Sequence, residues 1–180
     1  GVNAGTRRSF ELVFQDALEA AESEKWPRVE EGIAKLDNLV PEDPRVAMLK
    51  GMVNFNQGRF KEAFGDLRSV QESIQTEFRA RLLFFLVRAS ERVEEYGQAR
   101  RAYDAIKDEQ IRRSLEPVLR AVVERRERDV AALARNFDRS LMKKLIDRFP
   151  GDTTLALDIW TEAGDNQTLK NAEMESLAME

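Results

Sequence analysis

Carboxylates and arginines are the side chains through which this sequence could do chemistry. Adjacent acids recur at Glu30-Glu31, Glu42-Asp43, Glu94-Glu95 and Asp108-Glu109. Acid–base hydrolysis needs two carboxyls facing each other across a partly dry cleft. Sequence neighbours point to different sides of a helix or lie in turns, so these pairs read as solvated charge and helix-start acids. Arginines crowd a different stretch, at Arg112, Arg113, Arg120, Arg125, Arg126, Arg128, Arg135 and Arg139. Glu116, Glu124, Glu127, Asp129 and Asp138 interleave with them, and Phe137 is the aromatic among them. A nucleic-acid surface would need a contiguous basic patch with aromatics for base stacking. The interleaving predicts a salt-bridged helix surface instead, with an acidic peptide as the alternative ligand, and no nucleic-acid partner is expected.

Other chemistries lack their residues. The chain has no His and no Cys, which removes imidazole and thiolate from any catalytic or metal-binding set. Gly51 and Gly58 are wrongly spaced for a phosphate loop, and no Gly-Lys-Ser/Thr follows. No Ser sits in a Gly-x-Ser-x-Gly elbow. The stretch from Asp165 to Ser176 opens like a calcium loop but fails at the third ligand position, the central glycine and the terminal glutamate. Asn166-Gln167-Thr168 has the composition of a glycosylation acceptor. The expectation is a non-catalytic protein with no cofactor and no metal.

With 29 Lys and Arg against 33 Asp and Glu, the net charge is -4. Residues 79–139 are the mildly basic part, with 15 basic and 11 acidic side chains. No apolar run is long enough for a membrane span. The small polar start, 1–9, reads as a frayed or tag-like end. Nothing marks a compartment; the cytoplasm is slightly favoured and the periplasm stays open.

The elements that must position these side chains are helices. Nine Gly and five Pro leave few turns in 180 residues, and no stretch alternates as a strand would. Phe10, Val13, Phe14, Ala17, Leu18 and Ala21 form one apolar stripe at helical spacing. Trp26-Pro27 opens a second helix, with Pro in the first turn where its missing N–H costs nothing. Val29, Ile33, Leu36 and Val40 form its stripe. Pro41 to Pro44 stops that helix and restarts the chain, and a third helix runs from about Arg45 to Asn56. Gln57-Gly58-Arg59 makes a tight turn, and Phe60 starts a fourth helix. Leu82 to Val87 is apolar all round, as expected of a central helix, with Phe84 or Phe85 free to point into a groove. The tail predicts a helix to Phe149, a stop at Pro150-Gly151, another helix capped by Asp152 or Thr153, and a last one from about Gln167.

Trp26, Phe60, Tyr96 and Val130 each follow a short break, at separations of 34, 36 and 34 residues. Small or aliphatic residues follow three positions later, at Val29, Ala63, Ala99 and Leu133. Larger ones follow seven positions later, at Ile33, Leu67, Tyr103 and Phe137. A helix–turn–helix period of 34 residues is the tetratricopeptide signature. The stretch Lys50 to Ala63 resembles that family best. Gly51 stands at its small packing position, Gly58 in its turn, Phe60 at its aromatic position and Ala63 at its close-contact position, while Pro41 matches the proline that ends a unit. The resemblance implies an all-α solenoid of three to four helical hairpins, at about 10–43, 44–77, 80–113 and 114–147. Residues 148–180 would form a helical hairpin cap.

The resemblance also implies a concave groove lined by the first helix of each unit. It places Phe14 and Leu18 there from the first unit, and Met48, Met52, Phe55 and Asn56 from the second. Phe84, Arg88 and Arg92 follow from the third, and Val122, Arg125 and Arg126 from the fourth. Such a groove grades from apolar to basic. It would take a protein or peptide partner with apolar anchors and acidic residues. The family's carboxylate-clamping mode is not expected, because Arg45, Met48 and Met52 stand where its Lys and Asn residues would cluster. An interaction scaffold is the leading function. A bacterial secretion or pilus-type chaperone, or a structural subunit that multimerises as a homo-oligomer, remains an alternative.

Overall fold

The computed structural model describes residues 2–164. Ten helices and no strand occur among the described residues. They are α1 (Ala4–Glu22), α2 (Trp26–Leu39), α3 (Pro44–Asn56), α4 (Phe60–Ser69), α5 (Thr76–Arg92), α6 (Tyr96–Ala105), α7 (Glu109–Ser114), α8 (Glu116–Arg135), α9 (Arg139–Arg148) and α10 (Leu155–Ala163). The predicted all-α class holds. The helix expected from Gln167 and the glycosylation triplet lie outside the described residues.

Three hairpins, α1/α2, α3/α4 and α5/α6, pack in chain order, with α2 against α3 and α4 against α5. Their second helices begin at Trp26, Phe60 and Tyr96, as the spacing predicts. The three turns share one backbone pattern. Glu24, Gly58 and Glu94 adopt positive φ of 55°, 78° and 63°. The next amide donates to a carbonyl five residues back, Lys25 to Ala20, Arg59 to Asn54 and Glu95 to Ser90, each at 2.8 Å. This is the glycine-type helix stop, here occupied twice by glutamate.

Small residues let the paired helices approach. A Cβ on Gly32 would stand 2.8 Å from the Ala17 Cβ, and one on Gly51 2.6 Å from Leu67 Cγ. The main core runs through all three hairpins and ends at Ile106 and Leu115. Arg45 ties α3 to α1. Its guanidinium lies 4.7 and 4.8 Å from the ring centres of Phe10 and Phe14. It donates to both carboxylate oxygens of Glu11 and of Asp43. Asp43 also caps α3 by accepting from the Arg45 amide at 2.9 Å.

The chain departs from the expected pattern at both ends of the array. Residues 4–9, read from sequence as a frayed start, belong to α1, whose N-terminus Asn3 caps by accepting from the Thr6 amide. The break expected before Val130 is absent, and Val130 sits inside the unbroken α8. Residues 125–129 contain no Gly or Pro to stop a helix, and Arg125 pairs with Asp129 one turn on, at 3.3 Å. A fourth hairpin of 34 residues therefore does not form. Instead α9 and α10 pack on α8 around a second core of Tyr96, Leu133, Met142, Leu145, Phe149 and Ile159. The Tyr96 and Phe149 rings stack at 5.3 Å, joining this unit to the third hairpin.

Candidate functional site

A cleft of about 680 Å³ opens where the first helices of the three hairpins meet α7. Leu18 comes from α1, Met52 from α3, Phe78, Phe84, Phe85 and Arg88 from α5, and Ile111 from α7. The walls are mostly apolar. Leu18 and Met52 are buried, and the three phenylalanines are half-buried. Helix α5 supplies more of the lining than any other element, because Phe78, Arg81, Phe85 and Arg88 follow steps of three and four along one face.

Charge in the cleft is sparse and sorted. Arg81 donates to Glu22 at 2.6 Å, so these two neutralise each other. Glu24 and Glu77 line the opening and are exposed. Arg88 is half-buried and makes no hydrogen bond or ion pair with any described residue. Its guanidinium rests on aromatic rings instead, 4.4 Å from the centre of Phe55, 5.1 Å from Phe84 and 5.7 Å from Phe85. Loss of water around it lowers its pKa. Arg45 has the opposite environment. Burial alone would depress its pKa, but the hydrogen bonds it donates to Asp43 and Glu11 outweigh this and raise it.

The cleft gathers four of the residues expected to line a groove: Leu18, Met52, Phe84 and Arg88. Phe55 stands behind them, with its ring against Arg88 and Phe85. The other expected residues lie elsewhere. Phe14 is core, with its ring edge-on to Phe78 at 5.1 Å and one face on Arg45. Met48 is fully buried. Asn56 is exposed at the end of α3 and outside the cleft lining. Arg92 covers the Phe60 ring at 4.3 Å, near the turn of the second hairpin.

The basic end expected of the groove is taken up by the chain's own acids. Arg125 pairs with Glu94 at 3.2 Å and with Asp129. Arg148 from α9 reaches the same two acids, which makes a four-residue network across α8, α9 and the turn after α5. Arg126 holds Asp152 and Asp158, each at 2.6 Å, and so fastens α10 to α8. Hydrogen bonding to Arg126 keeps the Asp152 carboxyl below the usual range. Val122 is buried in the second core.

Sequence reasoning missed Phe78 and Ile111. The face shared by Phe78, Phe85 and Arg88 is the signal that could have found Phe78, had α5 been read from Thr76 rather than from residue 80. Ile111 carries no such signal, since α7 has only six residues. Among the described residues no three acids gather into a metal site, and no helix is long and apolar enough to cross a membrane. Comparison with family models, curated proteins and solved structures finds no match to this chain.

Proposed function

We propose that the chain is a non-catalytic interaction module of tetratricopeptide type, binding a peptide or helix of a partner protein in the cleft between α1, α3, α5 and α7. One observation carries this reading. Residues as far apart as Leu18 and Arg88 come from the first helices of successive hairpins to line a single apolar cleft. Three turns with the same hydrogen bonds, set 34 and 36 residues apart, support the repeat assignment. So do the close contacts at Gly32 and Gly51. Clefts built from convergent phenylalanine, leucine and methionine suit apolar side chains of a polypeptide, and methionine adapts to several shapes. Arg125 and Arg126 add no basic ligand surface in this reading, because they hold acids of the chain itself.

The test is selection of binders from a random peptide library on the immobilised protein, in parallel with Phe84→Glu. The native protein should enrich peptides that Phe84→Glu no longer holds, while the variant keeps its helical circular dichroism. Peptides that bind both forms equally would place the binding surface elsewhere and overturn the reading.

A further inference from the structure

Arg88 is an arginine whose ring contacts leave its hydrogen-bonding capacity unused. Aromatic rings bind the face of a guanidinium, but its five N–H groups lie in its plane and radiate from its edge. Among the described residues none of these donors meets an acceptor. Half-buried between Phe55, Phe84 and Phe85, the group has lost part of its water without gaining a partner, which costs free energy that an incoming acceptor restores. Arg45 shows how this chain treats an arginine that serves its own fold: the same seat on two phenyl rings, with two carboxylates closing the edge. Arg88 has the seat and lacks the carboxylates.

We infer that Arg88 is the anchor for one carboxylate, an Asp or Glu side chain set among apolar residues in the partner segment. This rests on the cleft being the binding surface and adds the partner's chemistry. The other charges sharpen it. Arg81 is already neutralised by Glu22 at 2.6 Å, so it offers no second cation. Glu24 and Glu77 line the opening, are exposed, and have no ion pair with a described residue. They favour Lys or Arg on the partner outside the apolar part. The fitting segment has an apolar centre carrying one acid, with basic residues flanking it. A polyacidic tail fits badly, since one arginine would receive it and two glutamates would repel it.

The probe is the peptide pool enriched by the native protein from the random library, compared with the pool enriched by Arg88→Met. Methionine keeps apolar contact with the rings and removes the charge, and an unchanged melting temperature shows that the fold persists. The native pool should carry an Asp or Glu at one fixed place between apolar residues, and the Arg88→Met pool should not. For one enriched peptide, changing that acid to its amide should weaken binding to the native protein roughly ten- to a hundredfold, the range of a charged hydrogen bond. The same change should barely alter binding to Arg88→Met. If peptides need Phe84 but carry no required acid, or if the two changes act independently, the Arg88 assignment is overturned and the cleft reading stands. If no peptide depends on Phe84, the cleft reading falls and this inference with it. A dimer that Arg88→Met dissociates, with no peptide enriched, would make a second copy of the chain the occupant and overturn the partner assignment.

Discussion

Replacing Glu24 by glycine should stabilise the protein. Glu24 ends α1 at a φ of 55°, a left-handed conformation in which any Cβ is crowded. For a residue other than glycine that crowding costs on the order of 1–2 kcal/mol. Glycine removes it but gives the unfolded chain more freedom, which offsets about 0.5–1 kcal/mol. The net gain is about 0.5–1 kcal/mol, or a rise in Tm of roughly 1–4 °C for a chain of this size. Two companion variants make the reasoning strict, because the three turns are alike in backbone but not in side chains. A Cβ on Gly58 would meet nothing within 4 Å, so Gly58→Ala should cost about 1 kcal/mol through backbone strain alone. Glu94→Gly relieves the same strain but cuts the contacts to Arg125 at 3.2 Å and Arg148 at 3.5 Å. Partly exposed pairs of this kind contribute about 0.2–1 kcal/mol each, so its net change should lie near zero. Urea unfolding at neutral pH reads all three. A destabilised Glu24→Gly, or a neutral Gly58→Ala, would refute the claim that the turns share one conformation.

Other perturbations follow from named contacts. Arg45→Met strands the largely buried Asp43 carboxylate and should cost about 3 kcal/mol, a fall in Tm of roughly 6–12 °C by calorimetry. Arg126→Ala releases Asp152 and Asp158 and should let α10 exchange its amide hydrogens faster, while α1 to α4 keep their protection. Acid acts through carboxyls of opposite shift. Burial pushes the Asp43 carboxyl up, but hydrogen bonds from Arg45 outweigh this and hold it low, and Asp152 is held low by Arg126. Their stabilisation is complete above the unfolded value near 4 and is lost as pH falls through the lower folded values, so Tm should drop in that range. Burial raises the Asp66 carboxyl, whose penalty at neutral pH is relieved as pH falls through its raised folded value. Asp66→Asn, still able to accept from Asn54, should therefore melt higher than the native protein at pH 7, with the gap closing in acid.

Sequence was most informative where structure is local and repeated. Trp26, Phe60 and Tyr96 mark helix starts because each follows a tight stop, and the stop recurs at a fixed interval. The same counting misled at Val130, where residue types matched the interval but nothing could end the helix: Arg125 to Asp129 are all compatible with a helix interior. The break before Phe60 has Gly58, whereas those before Trp26 and Tyr96 place glutamate in the left-handed position, so glycine content alone would have missed two of three. The resemblance to the tetratricopeptide family pointed to Leu18, Met52, Phe84 and Arg88, which line the cleft from helix faces of a shared period. It also drew in Phe14 and Met48, which share that period but lie a layer deeper. Arg125 and Arg126 looked like ligand-binding residues because, apart from Asp129 one turn on from Arg125, their partners are remote in sequence. Glu94 and Asp158 lie 31 and 32 residues away, and no local pattern joins them. Arg88 was legible as a position, but its significance comes from what does not surround it, which only the assembled fold shows.

The most direct test of the cleft as the binding surface uses its methionines. Met52 lines the cleft, Met48 is buried next to it in the main core, and Met142 belongs to the second core around α8 to α10. With the methionine methyl groups labelled with carbon-13, titration of a selected peptide should move the Met52 resonance in step with binding and leave Met142 unmoved. A Met142 shift at saturation with Met52 unchanged would contradict the assignment of binding to the cleft.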